Sequence, residues 1–402
     1  MAGRLKLAAT GVQDTWLTGE PQFSYFLMNF KRHSKFSFDY VECQFNGTID
    51  FGEIITCRIP GDKGDLIKNF TLKVTLDDPG PDTFAQNDVY WVRSIGSHLI
   101  EYAELLIGGQ PIERITGEYI YMHQQLYNTD DDVEQTLYFL NGHGAQVLSY
   151  SGEYTYFIDL PFYFYRNPAL AIPTCALTKQ IVEVRIKTRP ISQLIDGGSL
   201  PGDTGTIKNI SIDTEFVYVT PEETAYLMSQ PLDYVITQVQ MSKFKLKPGE
   251  TKKSVMLNFT HPVRELLFVS QPEKEITLYN GSIKFNPILN AELRFNNEVV
   301  FNRDAKFLMY EQAFKYHVNT PSSELFVDDG ANNASSKFGM YSFGLNPEVP
   351  YPTGQVNMSR IIHKLFTIEI DPIDSEDYNT VHIYAINYNV LRIQSGLAGL
   401  KF

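Results

Sequence analysis

Three short patterns occur twice in this chain, in the same order, and that duplication restricts its possible folds more than any other feature. Ile67-Lys68-Asn69-Phe70 has a counterpart in Val263-Arg264-Glu265-Leu266. Ala103-Glu104-Leu105 followed by Ile107-Gly108-Gly109 recurs as Ala291-Glu292-Leu293 followed by Phe295-Asn296-Asn297. Ile181 to Lys187 and then Ser211 to Val219 is echoed by Phe366 to Ile370 and then Val381 to Ile393, with all offsets about 170–200 residues. Gly-Gly and Asn-Asn both suit tight hairpins whose central residues need positive φ. A chain of 402 residues has room for two domains of about 200 residues, so the economical reading is two similar β-rich halves side by side.

The local periodicity agrees. Leu72, Val74 and Leu76 alternate with Thr71, Lys73 and Thr75, and Val182 to Lys187 and Phe366 to Ile370 alternate in the same way. Period-two alternation places one face of a strand on a core and the other towards solvent or a neighbour. With 27 Phe and 24 Tyr against 2 Trp, the aromatic content also suits a pleated surface. Helix signals are fewer. Gly117 to Tyr127 is one, and Thr220-Pro221-Glu222-Glu223 is another, a capping box with proline at the first helical position. The second lies between strand-like runs near the middle of the chain and reads as a linker over residues 220–230.

Most chemistries find no support in the residues. The net charge is −13, and binding to nucleic-acid phosphates needs a basic face. Lys31, Arg32 and Lys35, interleaved with Phe30 and Phe36, read as a solvated strand end rather than a nucleic-acid contact. Cys43, Cys57 and Cys175 are odd in number and lack Cys-x-x-Cys spacing, so free thiols in a reducing compartment are expected. Met1 to Thr10 has no apolar signal-peptide core, and no run reaches the ~18 apolar residues of a membrane helix. The expectation is a chain made and folded in a cytosol.

Gly61-Asp62-Lys63-Gly64 lacks the ending of a phosphate loop and reads as a turn. The eight histidines are scattered, with none paired at metal-ligand spacing. Asp130-Asp131-Asp132 and Asp328-Asp329 read as exposed loops, with a weak calcium site as the alternative. No catalytic, cofactor-binding or metal residue is therefore assigned. Of seven Asn-x-Ser/Thr sequons, Asn280 and Asn333 sit in the most exposed contexts and are the glycosylation candidates.

Longer motifs then carry a resemblance. Gly11-Val12-Gln13-Asp14, Leu17 to Phe23 and Phe30 to Phe36 resemble the amino-terminal signature of the major capsid proteins of nucleocytoplasmic large DNA viruses, of the phycodnavirus, marseillevirus and mimivirus type. The likeness stays collinear through Trp91 to Gly96, Leu160-Pro161-Phe162-Tyr163-Phe164, Leu257 to Leu266 and Tyr341 to Glu348. It ends on Tyr384 to Ile393 and Gly396 to Leu400, its most specific stretch.

The resemblance implies an all-β double jelly roll: two consecutive eight-stranded β-sandwiches with short helices in loops and linker. Its parts would be an arm over 1–24, a first jelly roll over 25–219, the linker over 220–230 and a second jelly roll over 231–402. It implies a structural protein, not an enzyme, that forms trimeric pseudo-hexagonal capsomers tiling an icosahedral shell. The implied partners are two further copies, neighbouring capsomers and minor capsid proteins, with an internal membrane contacted indirectly and nucleic acid not directly. The arm has small residues and no strong period. In the family it lies on the inner side, and Arg4, Lys6, Thr18, Gly19 and Pro21 are its candidate contacts to minor capsid proteins. Two departures stand out, a short overall length and an apparent insertion at Glu324 to Lys337. The alternatives left open are a minor capsid paralogue and a surface protein that binds or acts on glycans.

Overall fold

A computed structural model describes residues 2–28, 30–77, 89–129, 136–142, 153–197, 205–273, 277–279, 282–283, 285–320, 326–327, 335–372 and 376–402. The chain divides into two compact units, residues 1–36 and residues 37–402, so residues 25–36 group with the amino-terminal segment. That segment carries two short helices, Ala2–Ala8 and Asp14–Thr18, neither of which buries a side chain.

The larger unit begins with β1 (Ser37–Asn46), β2 (Ile54–Ile59), β3 (Leu66–Leu76), β4 (Ile100–Ile107), β5 (Gln110–Thr116), β6 (Tyr154–Asp159), β7 (Val182–Thr188) and β8 (Ile207–Tyr218). It continues with β9 (Leu232–Leu246), β10 (Lys252–Met256), β11 (Pro262–Pro272), β12 (Ile288–Phe295), β13 (Glu298–Asp304), β14 (Phe338–Ser342), β15 (Lys364–Ile370) and β16 (Asn379–Gln394). In the first half the antiparallel orders are β1-β8-β3-β6 and β2-β7-β4-β5. The second half repeats them eight strands later, as β9-β16-β11-β14 and β10-β15-β12-β13. Each half is thus a jelly roll, and the molecule is a double jelly roll.

The sequence patterns become these elements for the reasons read from them. Leu72, Val74 and Leu76 are buried while Thr71, Lys73 and Thr75 are half-buried. The β4–β5 hairpin turns through Gly108 and Gly109 at φ +60° and +78°, and the β12–β13 hairpin through Asn296 and Asn297 at φ +48° and +74°. Both pairs are among the residues that tolerate such a turn. Helix α1 (Gly117–Tyr127) starts directly after β5. Helix α2 (Pro221–Ser229) starts where Thr220 accepts the Glu223 N–H at 3.4 Å.

Alternate residues of the second roll serve two cores. Leu266 and Phe268 on β11, with Ile383 and Ala385 on β16, face a core formed within the second roll. Leu267 and Val269, with Tyr384 and Ile386, face the other way and join the core of the first roll. Strands β11 and β16 of this sheet are therefore covered on both faces, and the cover on the outer one is the first roll, while β9 at the edge keeps Val235 and Met241 exposed.

Candidate functional site

The seam between the two rolls is a heavily built polar region. Helix α1 lies in it and is buried nearly all round, so its polar side chains need partners inside the protein. The Tyr127 hydroxyl donates to Glu265 Oε1 at 3.0 Å and accepts from Arg264 Nη2 at 3.0 Å. Glu265 Oε2 lies 3.1 Å from His317 Nε2, and the other ring nitrogen of His317 lies 3.0 Å from Glu348 Oε1. The side chains of Glu265 and His317 have no solvent exposure. Two carboxylates against the two ring nitrogens require both nitrogens to donate, so His317 is an imidazolium. Burial opposes that charge, but Glu265 and Glu348 together raise the His317 pKa above its ordinary value. Glu265 is likewise held below the carboxylate range by His317 and Arg264, against the cost of its burial.

His123 stacks on Tyr127, with ring centroids 4.1 Å apart and planes 8° from parallel. Burial, with Arg166 and Arg264 adding, pushes its pKa down to about 3. It therefore stays neutral in the same cluster where His317 is charged. At the start of α1, Glu118 forms a buried pair with Arg189. Burial opposes that charge, but Arg189 and His382 hold Glu118 at about 2. Thr116 Oγ1 and the Tyr384 hydroxyl are 2.7 Å apart, and Asn319 Nδ2 donates to the Gln125 carbonyl at 3.0 Å. At the carboxy-terminal end, the Ala398 N–H donates to Gln180 Oε1 at 2.6 Å.

These contacts tie the first roll to β11, β16 and the segments around residues 317, 348 and 398. Their chemistry is that of a staple: each carboxylate of the cluster is engaged by neighbouring donors. A cleft of about 460 Å³ opens beside α1, lined by His123, Asp159, Tyr165 and Arg166 among others. Its Asp159 accepts from Thr71 Oγ1 at 2.6 Å and from the Tyr165 hydroxyl at 3.1 Å. Asp159 is the one carboxylate among the described residues lining it.

The residues singled out from the sequence are not among these. Arg4 and Lys6 are on helix Ala2–Ala8, and Thr18 ends helix Asp14–Thr18, with its hydroxyl donating to the Asp14 carbonyl at 2.8 Å. Gly19 closes that helix through its N–H to Thr15 O at 2.9 Å, and Pro21 follows outside any helix or strand. Asn280, Asn333, Asp130 to Asp132 and Asp328-Asp329 lie outside the described residues. The three cysteines are free thiols, Cys43 and Cys57 buried and Cys175 half-buried.

The seam cluster itself escaped sequence reading, because Tyr127, Glu265, His317 and Glu348 are far apart in the chain. One signal was available. Arg264-Glu265 sits in a strand otherwise rich in apolar residues on both faces, from Leu266 to Val269, and charges placed there must be paired.

Comparison with known proteins then gives a consistent result. The family described as major capsid protein N-terminus matches residues 24–222, and that described as large eukaryotic DNA virus major capsid protein matches residues 223–399. The major capsid protein of Pyramimonas orientalis virus is 30% identical over 421 residues, spanning 100% of this chain and 99% of that protein. The major capsid protein of Paramecium bursaria Chlorella virus 1 is 24% identical over 449 residues, spanning 100% of both. Among solved structures, a chain of the PBCV-1 virus capsid matches with a TM-score of 0.75 at 20% identity, covering 94% of this chain and 100% of that one. The Faustovirus major capsid protein matches with a TM-score of 0.71 at 12% identity, covering 96% and 94%. At these identities the solved structures share the fold.

Proposed function

The chain belongs to the major capsid proteins of large eukaryotic DNA viruses, and from that premise we propose that it builds the virion shell as a homotrimer. Its role is structural rather than enzymatic, and its place is the capsid of the virion. The observation that carries the trimer is the repetition of one strand order in β1–β8 and β9–β16. Three copies of a chain with two similar rolls present six similar modules around a threefold axis, and that outline tiles a hexagonal lattice.

We assign the rolls to residues 25–219 and 231–402, joined by the linker at 220–230, with residues 25–36, which group with the amino-terminal unit, leading into the first strand. Contacts within the trimer bury about 2,000 Å² or more per interface. Contacts between neighbouring capsomers are weaker and gain strength by repetition. Assembly takes place in the host cytoplasm. The arm, through Arg4, Lys6, Thr18, Gly19 and Pro21, contacts minor capsid proteins and through them an internal membrane, with no direct contact to nucleic acid.

Light scattering on purified protein over a range of concentrations tests the trimer. The expected mass is about 137 kDa, three times 45.8 kDa. A concentration-independent monomer would overturn it. Deleting residues 1–24 should leave three subunits per particle, with the mass lowered only by the missing residues, and impair shells, whereas normal shells from the deletion would remove the arm from assembly.

A further inference from the structure

The amino-terminal unit has a charge and surface unlike the rest of the chain. Residues 1–36 hold five basic residues (Arg4, Lys6, Lys31, Arg32, Lys35) against two acidic ones (Asp14, Glu20), a net of +3. Since the whole chain is −13, the remainder carries −16. Within the unit, Phe23 to Phe36 divides into an apolar part and a basic part. Phe23, Tyr25, Phe26, Leu27, Met28 and Phe30 come first, and Lys31, Arg32 and Lys35 follow, with no acidic residue among them. Tyr25, Phe26 and Met28 are each at least 90% exposed, and Lys31, Arg32 and Lys35 make no ion pair among the described residues.

The described residues from Gly19 to Phe36 form no helix or strand. The apolar side chains therefore have no common face and no period by which a protein groove could take them as spaced anchors. A partner without register fits them better. Aromatic side chains favour the boundary between water and acyl chains, and adjacent Lys and Arg favour the phosphates of an anionic leaflet. An irregular backbone keeps its polar groups wet, which limits the depth to that boundary.

We infer that Phe23 to Phe36 is a docking segment for an anionic lipid surface, with the aromatic run inserted at the interface and Lys31, Arg32 and Lys35 on the headgroup phosphates. This goes beyond the indirect membrane contact proposed above, because it gives the chain a lipid contact of its own, and it does not depend on trimer formation.

The test is co-sedimentation of the full-length protein with vesicles of phosphatidylcholine alone and of phosphatidylcholine with phosphatidylserine, at low and high salt. Binding is expected on the phosphatidylserine vesicles only, and it should weaken as salt rises. K31A/R32A/K35A should lower the partition by about 100-fold at low salt, and F26S/F30S should weaken it with the salt dependence kept. Both variants should keep the parent's mass and melting temperature, which separates lost binding from lost folding. Absence of binding to the anionic vesicles overturns the inference. So does binding unchanged in both variants, or a duplex DNA competitor that displaces the protein from vesicles at equal phosphate, which would assign the segment to nucleic acid. Self-association lost in K31A/R32A/K35A with no vesicle binding in the parent would assign it to the acidic surface of a second copy.

Discussion

His317 is the residue on which the seam cluster turns. With Glu265 on one ring nitrogen and Glu348 on the other, it supplies a positive charge to two carboxylates, one of them fully enclosed. Breaking a buried pair by removing one partner leaves an uncompensated charge. His317→Gln is therefore expected to cost about 3 kcal/mol, read as a lower urea midpoint for the tertiary signal. An unchanged midpoint would mean that Arg264 and Tyr127 satisfy Glu265 unaided. The two histidines of the cluster also titrate in opposite senses. The unfolded chain takes a proton on His123 near the ordinary value of 6.5, while the folded protein refuses it until about pH 3. Stability from His123 is thus complete above pH 6.5 and is lost as the pH falls below it. His317 has a raised pKa, so its contribution is complete below pH 6.5 and is lost as the pH climbs through the raised value. A melting-temperature profile should fall on both sides of neutrality. His123→Phe, which keeps a ring against Tyr127, should flatten the acid limb, and His317→Gln the alkaline limb. Identical profiles for parent and variants would place the titration on other groups.

Elements differ in how far the sequence disclosed them. The strands around Leu72, Val184 and Ile368 were legible because alternation survives wherever one face meets solvent. The hairpins at Gly108-Gly109 and Asn296-Asn297 were legible because few residues accept positive φ in succession. Helix α1 was legible in extent but not in role. Its sequence has a weak amphipathic pattern because it is enclosed on all sides, by Ser97, Ile100 and Asn141 of its own half as well as by groups from the other half of the chain. The same cause hid the cluster, whose members meet only after both rolls have folded. Gly117 shows how closely α1 is held. A Cβ there would lie 2.3 Å from the carbonyl oxygens of Ile100 and Ser97, both backbone atoms that cannot swing aside. Gly117→Ala should therefore destabilise by about 1–3 kcal/mol through overpacking. Gly109→Ala meets no atom within 4 Å and bears only the strain of φ +78°, so it should cost about 1 kcal/mol. Thermal melts of the two variants check the order, and a smaller loss at Gly117 would show that α1 can shift.

For the whole molecule, the continuity of the first roll's core with the seam makes separate melting of the two rolls unfavourable. Unfolding either one exposes Leu267, Val269, Tyr384 and Ile386 to water or strips the cover from α1. Residues 37–402 should unfold in one transition, with far-ultraviolet circular dichroism and tyrosine signals coincident; two separated transitions would show the rolls to be independent. The covered sheet has a consequence for how the two copies of the repeat accept change. Matched by the repeat, Lys73 and Thr71 on β3 occupy the positions of Val269 and Leu267 on β11. The first pair is half-buried, and the second pair is shut inside the protein. Polar residues are accepted at the first pair, where Thr71 donates to Asp159 and Lys73 pairs with Glu42, and will be purged at the second, so descendants of one ancestral strand drift under opposite constraints. The second copy is bound to remain apolar on a face where the first is at liberty to stay polar.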